Sequence, residues 1–166
     1  ATAASTQESY EIVISVASHY RAEDMSDAAM VEELLKVNPN SLGTIGREDY
    51  DEITAELYPR MCSSLYSTSR ENYQVANYET AISNLEQVMQ MNEGYSDGAA
   101  LLLLAQSYEK SGNNEQANLK YQKLVESYPD TEAAEEAKDA LKARNSDTAP
   151  EEDEGDAAGS EGDDTE

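Results

Sequence analysis

The 166-residue sequence predicts an all-α fold: antiparallel helix hairpins stacked side by side, about six to seven helices, followed by a disordered acidic tail. Three observations predict it. Apolar and small residues recur at i, i+3, i+4, i+7 in paired runs, short turns join the runs, and the two best-formed pairs follow each other at a nearly constant period.

At the N-terminal end, Val13, Val16, Ala17 and Tyr20 keep helical spacing, Ala29 follows, and Leu34 and Leu35 close a degenerate hairpin over 8–37, just before Pro39. Ala29 and Ala81 lie 52 residues apart, too far for one period, which places an additional helix over 47–57. Pro59 then either starts a new helix at its first position or kinks a longer one; both remain open, because proline suits the first helical turn yet removes a donor within a helix. A repeat over 62–93 uses Leu65, Ser69 and Tyr73 in its first helix, turns at Ala76-Asn77-Tyr78, and returns through Ala81, Ile82, Leu85 and Val88.

The next repeat, 98–131, is the best preserved. Leu101, Leu104, Ala105 and Tyr108 form one stripe and Ala117, Tyr121, Leu124, Val125 and Tyr128 a second, with Ser111-Gly112-Asn113-Asn114 as the stop and turn between them. Ala81 to Ala117 spans 36 residues, and the linker from Glu93 to Gly98 is expected to absorb the two beyond the usual 34. Past Pro129, Asp130 is the expected N-cap of a capping helix over 131–144. Glu132, Glu135 and Glu136 come early in it and Lys138, Lys142 and Arg144 late, an order that complements the helix dipole. Its apolar residues are mainly Ala133, Ala134, Ala137, Ala140 and Leu141, suited to covering one end of a stack.

These landmarks resemble the tetratricopeptide repeat (TPR). Leu101, Leu104, Ala105 and Tyr108 fall at W-x2-L-G-x2-Y spacing, Ala117 and Tyr121 supply A-x3-F, and Pro129 closes the unit. The strict likeness covers about 70 residues, 62 to 131. It implies a short right-handed superhelix that binds protein without catalysis, the first helix of each pair lining a concave groove that holds a peptide or helix of a partner. The groove residues it implies are Tyr66, Arg70, Tyr73 and Gln74 in one repeat and Leu102, Gln106 and Glu109 in the next. The chaperone-binding members carry a lysine and an asparagine that clamp a terminal carboxylate; here those places hold Tyr66 and Arg70, then Leu102 and Gln106, so that clamp is absent. The segments 38–42, 77–82 and 128–131 are similar to bacterial cell-surface TPR proteins in which a membrane anchor precedes the repeats. That likeness implies an extracytoplasmic domain of a membrane-anchored or exported protein in an envelope assembly, with a cytoplasmic location as the alternative. The chain starts at Ala1 without methionine, which is expected of a processed chain or an excised domain.

Charge narrows the partners. The sequence holds 35 acidic and 11 basic residues, net −24; ten of the acidic ones lie in 146–166, so 25 remain against the 11 basic ones in the helical-repeat domain over 1–145. The tail has too little apolar surface to offset its ordering entropy. Nucleic acid and anionic membrane surfaces require a basic footprint that is lacking here, and no run of 18 apolar residues occurs. A partner segment that is neutral or basic with apolar anchors is expected. The alternatives are self-association as a homodimer through an incompletely capped end and, less favoured, weak calcium binding by the tail, which lacks the EF-hand order of ligands. No cofactor, metal set or catalytic group is expected: Cys62 and His19 are single, at helical positions, and no phosphate-binding or nucleophile motif occurs.

Overall fold

The computed structural model describes residues 5–147, and among them seven α-helices and one 3-10 turn occur, with no strand. The helices are α1 (Thr6–Ala22), α2 (Asp27–Leu34), α3 (Thr44–Gln74), α4 (Tyr78–Met91), α5 (Ala99–Lys110), α6 (Asn114–Ser127) and α7 (Glu132–Asp147), with the 3-10 turn at Pro39–Ser41. Ser146 and Asp147, the first two residues of the predicted acidic tail, lie in α7, which runs past the expected end at 144; from residue 148 onward the tail lies outside the described residues.

Local signals set most of the boundaries. Ser5 caps α1 in a reciprocal box: its hydroxyl accepts from the Glu8 N–H at 3.3 Å and its own N–H donates to the Glu8 carboxylate at 2.8 Å. The carboxylate is held below its ordinary pKa by these bonds. Asn113 caps α6 by accepting from the Gln116 N–H at 3.2 Å. At α7 the expected cap, Asp130, is displaced by Thr131, whose hydroxyl accepts from the Ala134 N–H at 3.2 Å. Thr131 is favoured because its hydroxyl also donates to the Tyr128 carbonyl, tying the new helix to the end of α6.

The helix expected over 47–57 and the first helix of the following repeat prove to be one 31-residue helix, α3, with Pro59 inside it. Burial explains the continuity. Ile53, Leu57, Met61 and Ser69 stand four or eight residues apart and all are buried, with Cys62 beside them at 0 % exposure, so one stripe passes under the proline without a break. Pro59 itself and Ala55, whose carbonyl loses its intrahelical donor, are both exposed, where water satisfies that oxygen.

The core divides into two clusters bridged by α3. Val16, Ala17, Met30, Val31, Leu34, Ile53, Leu57 and Met61 form the first. The second gathers Leu85, Val88, Leu101, Leu104, Tyr121 and Leu124 with Cys62 and the α7 alanines. Leu65 and Met91 pack against both. Helix α3 packs on α1, α2, α4 and α5; α5 packs on α4, α6 and α7; and α6 packs on α7. Ala105 and Ala117 are both fully buried, as close helix approach requires. Gly46 serves a similar end on α3: a Cβ there would lie 2.9 Å from the Tyr10 ring, so only glycine lets α1 approach. Polar ties reinforce the first hairpin. Arg60 holds Asp27 through two bonds of 2.6 and 3.0 Å, Arg21 meets Asp49 at 2.7 Å, and the Tyr20 hydroxyl donates to Glu56.

Two substitutions test this packing by urea denaturation. Pro59→Ala restores a helical hydrogen bond on an exposed face and is expected to raise stability by up to about 3 kcal/mol. Ala105→Leu is expected to lower it by about 1–3 kcal/mol, because the added volume has no room between α5 and its neighbours.

Candidate functional site

Helices α3 and α5 bear the groove residues that the repeat resemblance implies, and α7 packs on α5. Ala99 and Leu102 on α5 have counterparts 34 positions later in Ala133 and Glu136 on α7, and these four side chains border one hollow of about 590 Å³. Ser96, Asp97, Asp130, Thr131 and Glu132 complete its wall. Four carboxylates, Asp97, Asp130, Glu132 and Glu136, therefore surround an apolar floor made by Leu102 and two alanines.

The linker before α5 shapes this hollow. Ser96, Asp97 and Gly98 take three successive positive φ values, 55°, 53° and 87°. The two extra residues of the linker are accommodated in that left-handed turn, which the Gly98 N–H closes by donating to the Gly94 carbonyl at 3.3 Å. Gly98 is also spatially required: a Cβ would come within 2.9 Å of Leu124. The turn sends Tyr95 against Tyr66, edge to face with centroids 5.6 Å apart, and turns Ser96 and Asp97 into the hollow.

The seven assigned residues divide between packing and display. Tyr66, Tyr73 and Leu102 are half-buried and pack against the second core cluster. Tyr73 also meets Tyr78 edge to face at 5.5 Å, and burial raises the pKa of its hydroxyl, with Tyr78 and Glu109 adding to the rise. Glu109 is engaged: it accepts from the Tyr121 hydroxyl at 2.7 Å and stands 3.6 Å from Arg144, whose guanidinium lies 5.8 Å from the Tyr121 ring centroid. Arg144 also donates to the Asn118 and Asn114 side chains at 3.1 and 2.5 Å, clasping α7 to α5 and α6. Arg70 and Gln74 are exposed and Gln106 is half-exposed, and none of the three has a side-chain hydrogen bond or ion pair among the described residues. The structure thus brings Tyr73 and Glu109 into one cluster around Tyr121 and leaves Arg70, Gln74 and Gln106 free.

Arg70 is unusual in so acidic a chain. Of the 11 basic side chains, nine lie within 4 Å of a carboxylate: Arg21, Lys36, Arg47 and Arg60 in the first half, Lys120, Lys123, Lys138, Lys142 and Arg144 in the second. Arg70 and Lys110 are the two without such a partner among the described residues. The implied groove residues did not include Lys110, Asp97 or Asp130, the last expected only as a helix cap. Lys110 stands 36 positions after Gln74, a signal that was present; the acidic pair belongs to loops, where repeat spacing carries no information about direction.

His19 meets Asp24 at 2.7 Å, whereas Cys62 is enclosed in the second core cluster, where burial pushes its thiol pKa up. Among the described residues no group of three or more His, Cys, Asp and Glu side chains is gathered as for a metal ion, and no helix is long and apolar enough to cross a membrane.

Residues 99–131 match the family described as tetratricopeptide repeat, whose units serve as protein–protein interaction scaffolds. No curated protein and no solved structure matches the chain.

Buried tyrosines give the site's framework a pH dependence. Burial, reinforced by donation to Glu86 at 3.0 Å, pushes the Tyr108 hydroxyl from 10.0 up to about 12; Tyr121 is raised by burial and by its bond to Glu109. Above pH 10 the unfolded chain ionises while folded Tyr108 keeps its proton, so the unfolded state binds fewer protons and stability falls as pH rises. Tyr108→Phe is expected to flatten this fall, read as the change in urea midpoint between about pH 9 and about pH 11.5 compared with the parent protein.

Proposed function

We propose that this chain is a non-enzymatic interaction module that receives a segment of a partner protein along the face of α3, α5 and α7. The observation that supports it most is that Arg70 on that face has no partner among the described residues, where nine of the other ten cations meet a neighbouring carboxylate. An exposed guanidinium flanked by half-buried Tyr66 and Tyr73 combines charge, rigid aromatic area and low ordering cost, the composition of an interface hot spot. The matched repeat at 99–131 supports a protein rather than a small molecule as the ligand.

The partner segment we infer is neutral or basic overall, with apolar anchors. Leu102 and the two alanines of the hollow offer apolar contact, and Asp97, Asp130, Glu132 and Glu136 around them favour a lysine or arginine beside the anchor. Arg70 and Lys110 favour backbone carbonyls or a single carboxylate at another point of the segment. Binding requires little rearrangement, because α7 is already clasped in place by Arg144.

The setting we infer is a bacterial envelope assembly, with this chain as an extracytoplasmic part of a membrane-anchored or exported protein. It rests on the likeness of segments 38–42, 77–82 and 128–131 to cell-surface repeat proteins.

Arg70→Glu tests the binding face. The side chain is exposed and has no partner among the described residues, so the unfolding free energy from urea denaturation is expected to stay within about 0.5 kcal/mol of the parent. Capture from the source organism with parent and variant baits side by side is expected to yield a protein whose affinity falls by about 2 kcal/mol, roughly thirtyfold, on the variant. A protein held equally by both baits would place binding on another surface.

A further inference from the structure

The hairpin of α1 and α2 carries a second surface, separate from the α3, α5 and α7 face. Ile12 and Val16 of α1, with Met25 and Ala29, floor a cleft of about 870 Å³ whose lining comes entirely from residues 8–36. Helix α3 packs on both α1 and α2, yet none of its residues reaches this cleft. As α3 does for this hairpin away from the cleft, a following helix covers each later hairpin of the stack. On α5 and α6 lies α7, with Ala133 at 6 % and Ala134 and Ala137 at 0 % exposure. Ala29 shows what is missing. It follows Tyr20 by the same nine residues that separate Ala117 from Tyr108, but Ala117 is fully buried and Ala29 is half-exposed.

Charge selects the occupant. Glu8, Glu11, Glu32 and Glu33 rim the cleft against Lys36 alone, a balance of −3, and Lys36 is already held by Glu33 at 2.6 Å. A second copy of a chain carrying −24 meets this rim with repulsion. A helix is the shape that fits: it is about 10–12 Å across, and helices fill the other hairpins of this stack. We infer that the cleft docks an amphipathic helix of a partner protein, with a stripe of small apolar residues and lysine or arginine along its flanks. The apolar stripe covers Ile12, Val16, Met25 and Ala29, and the flanking cations neutralise Glu11 and Glu32, both exposed on the rim.

A displayed library of 18-residue helical peptides tests it, with alanine and leucine on one face and the flanking positions randomised among Lys, Glu and Gln. Selection on the whole protein, with Glu11→Lys/Glu32→Lys as the counter-target of verified helicity, is expected to enrich lysine-flanked peptides. These should bind the parent at least tenfold tighter than the charge-reversed protein and weaken as salt rises. Failure to enrich, enrichment of acidic or uncharged flanks, or equal binding to both proteins would overturn the inference. Sedimentation of the parent supplies an independent arm. A monomer leaves the cleft to a partner, whereas a dimer dissociated by Ile12→Asp would assign it to a second copy and overturn the proposal.

Discussion

The unbroken buried stripe of α3 is the constraint on which the rest of this protein depends. Ile53, Leu57, Met61, Cys62 and Ser69 are buried on either side of Pro59, and burying such side chains contributes about 1.5–3 kcal/mol each for the larger apolar ones, together more than the proline takes from helix stability. The helix therefore runs on through a residue that ordinarily ends one. Because it does, the first hairpin and the later repeats share one rigid element, and the two core clusters meet along it at Leu65 and Met91. Were the chain broken at Pro59, the N-terminal hairpin would hang on a joint, and its position relative to the α5 and α7 surface would be undetermined.

The second determinant is the left-handed turn at Ser96-Asp97-Gly98. Two residues added to a repeat have to go somewhere, and a helix cannot take them without rotating every later side chain by about half a turn. They are placed in the loop, where three positive φ values reverse the chain and return α5 to its register. The same turn carries Tyr95 onto Tyr66 and Asp97 to the edge of the hollow. An irregularity of spacing has thereby become part of a surface. Strained backbone held by its surroundings is a frequent property of such places.

Electrostatics completes the design. With 35 acidic residues against 11 basic ones, five of the cations tie separate elements together, among them Arg60 and Arg21, which join the first hairpin to α3, and Arg144, which holds the last helix across α5 and α6; four others meet a carboxylate three or four residues away. Exposed pairs contribute little individually, so their value lies in placing helices and limiting self-repulsion. Cations left over are then informative. Arg70 and Lys110 stand out for that reason among the described residues, while both clefts are rimmed by carboxylates.

Helical periodicity, the order of alanine, leucine and tyrosine landmarks, and the punctuation at Gly112 and Pro129 determined by themselves that this chain is all-helical and repetitive, since those signals are local and independent of what packs against them. They located the helices of 98–131, and also α1, α2, α4 and α7, to within a few residues. The repeat resemblance implied a groove role for Tyr66, Arg70 and Tyr73 without showing that two of the three are partly spent on packing. Only the tertiary structure decided the continuity of α3, because propensity at Pro59 is a local cost and the burial that overrides it is summed over distant partners. It likewise decided that Thr131 rather than Asp130 caps α7, that Glu109 is taken up by Tyr121 and Arg144, and that Arg70 has no carboxylate beside it among the described residues. Each of these turns on which groups from different helices come within a few ångströms of one another, and one-dimensional spacing does not carry that distance.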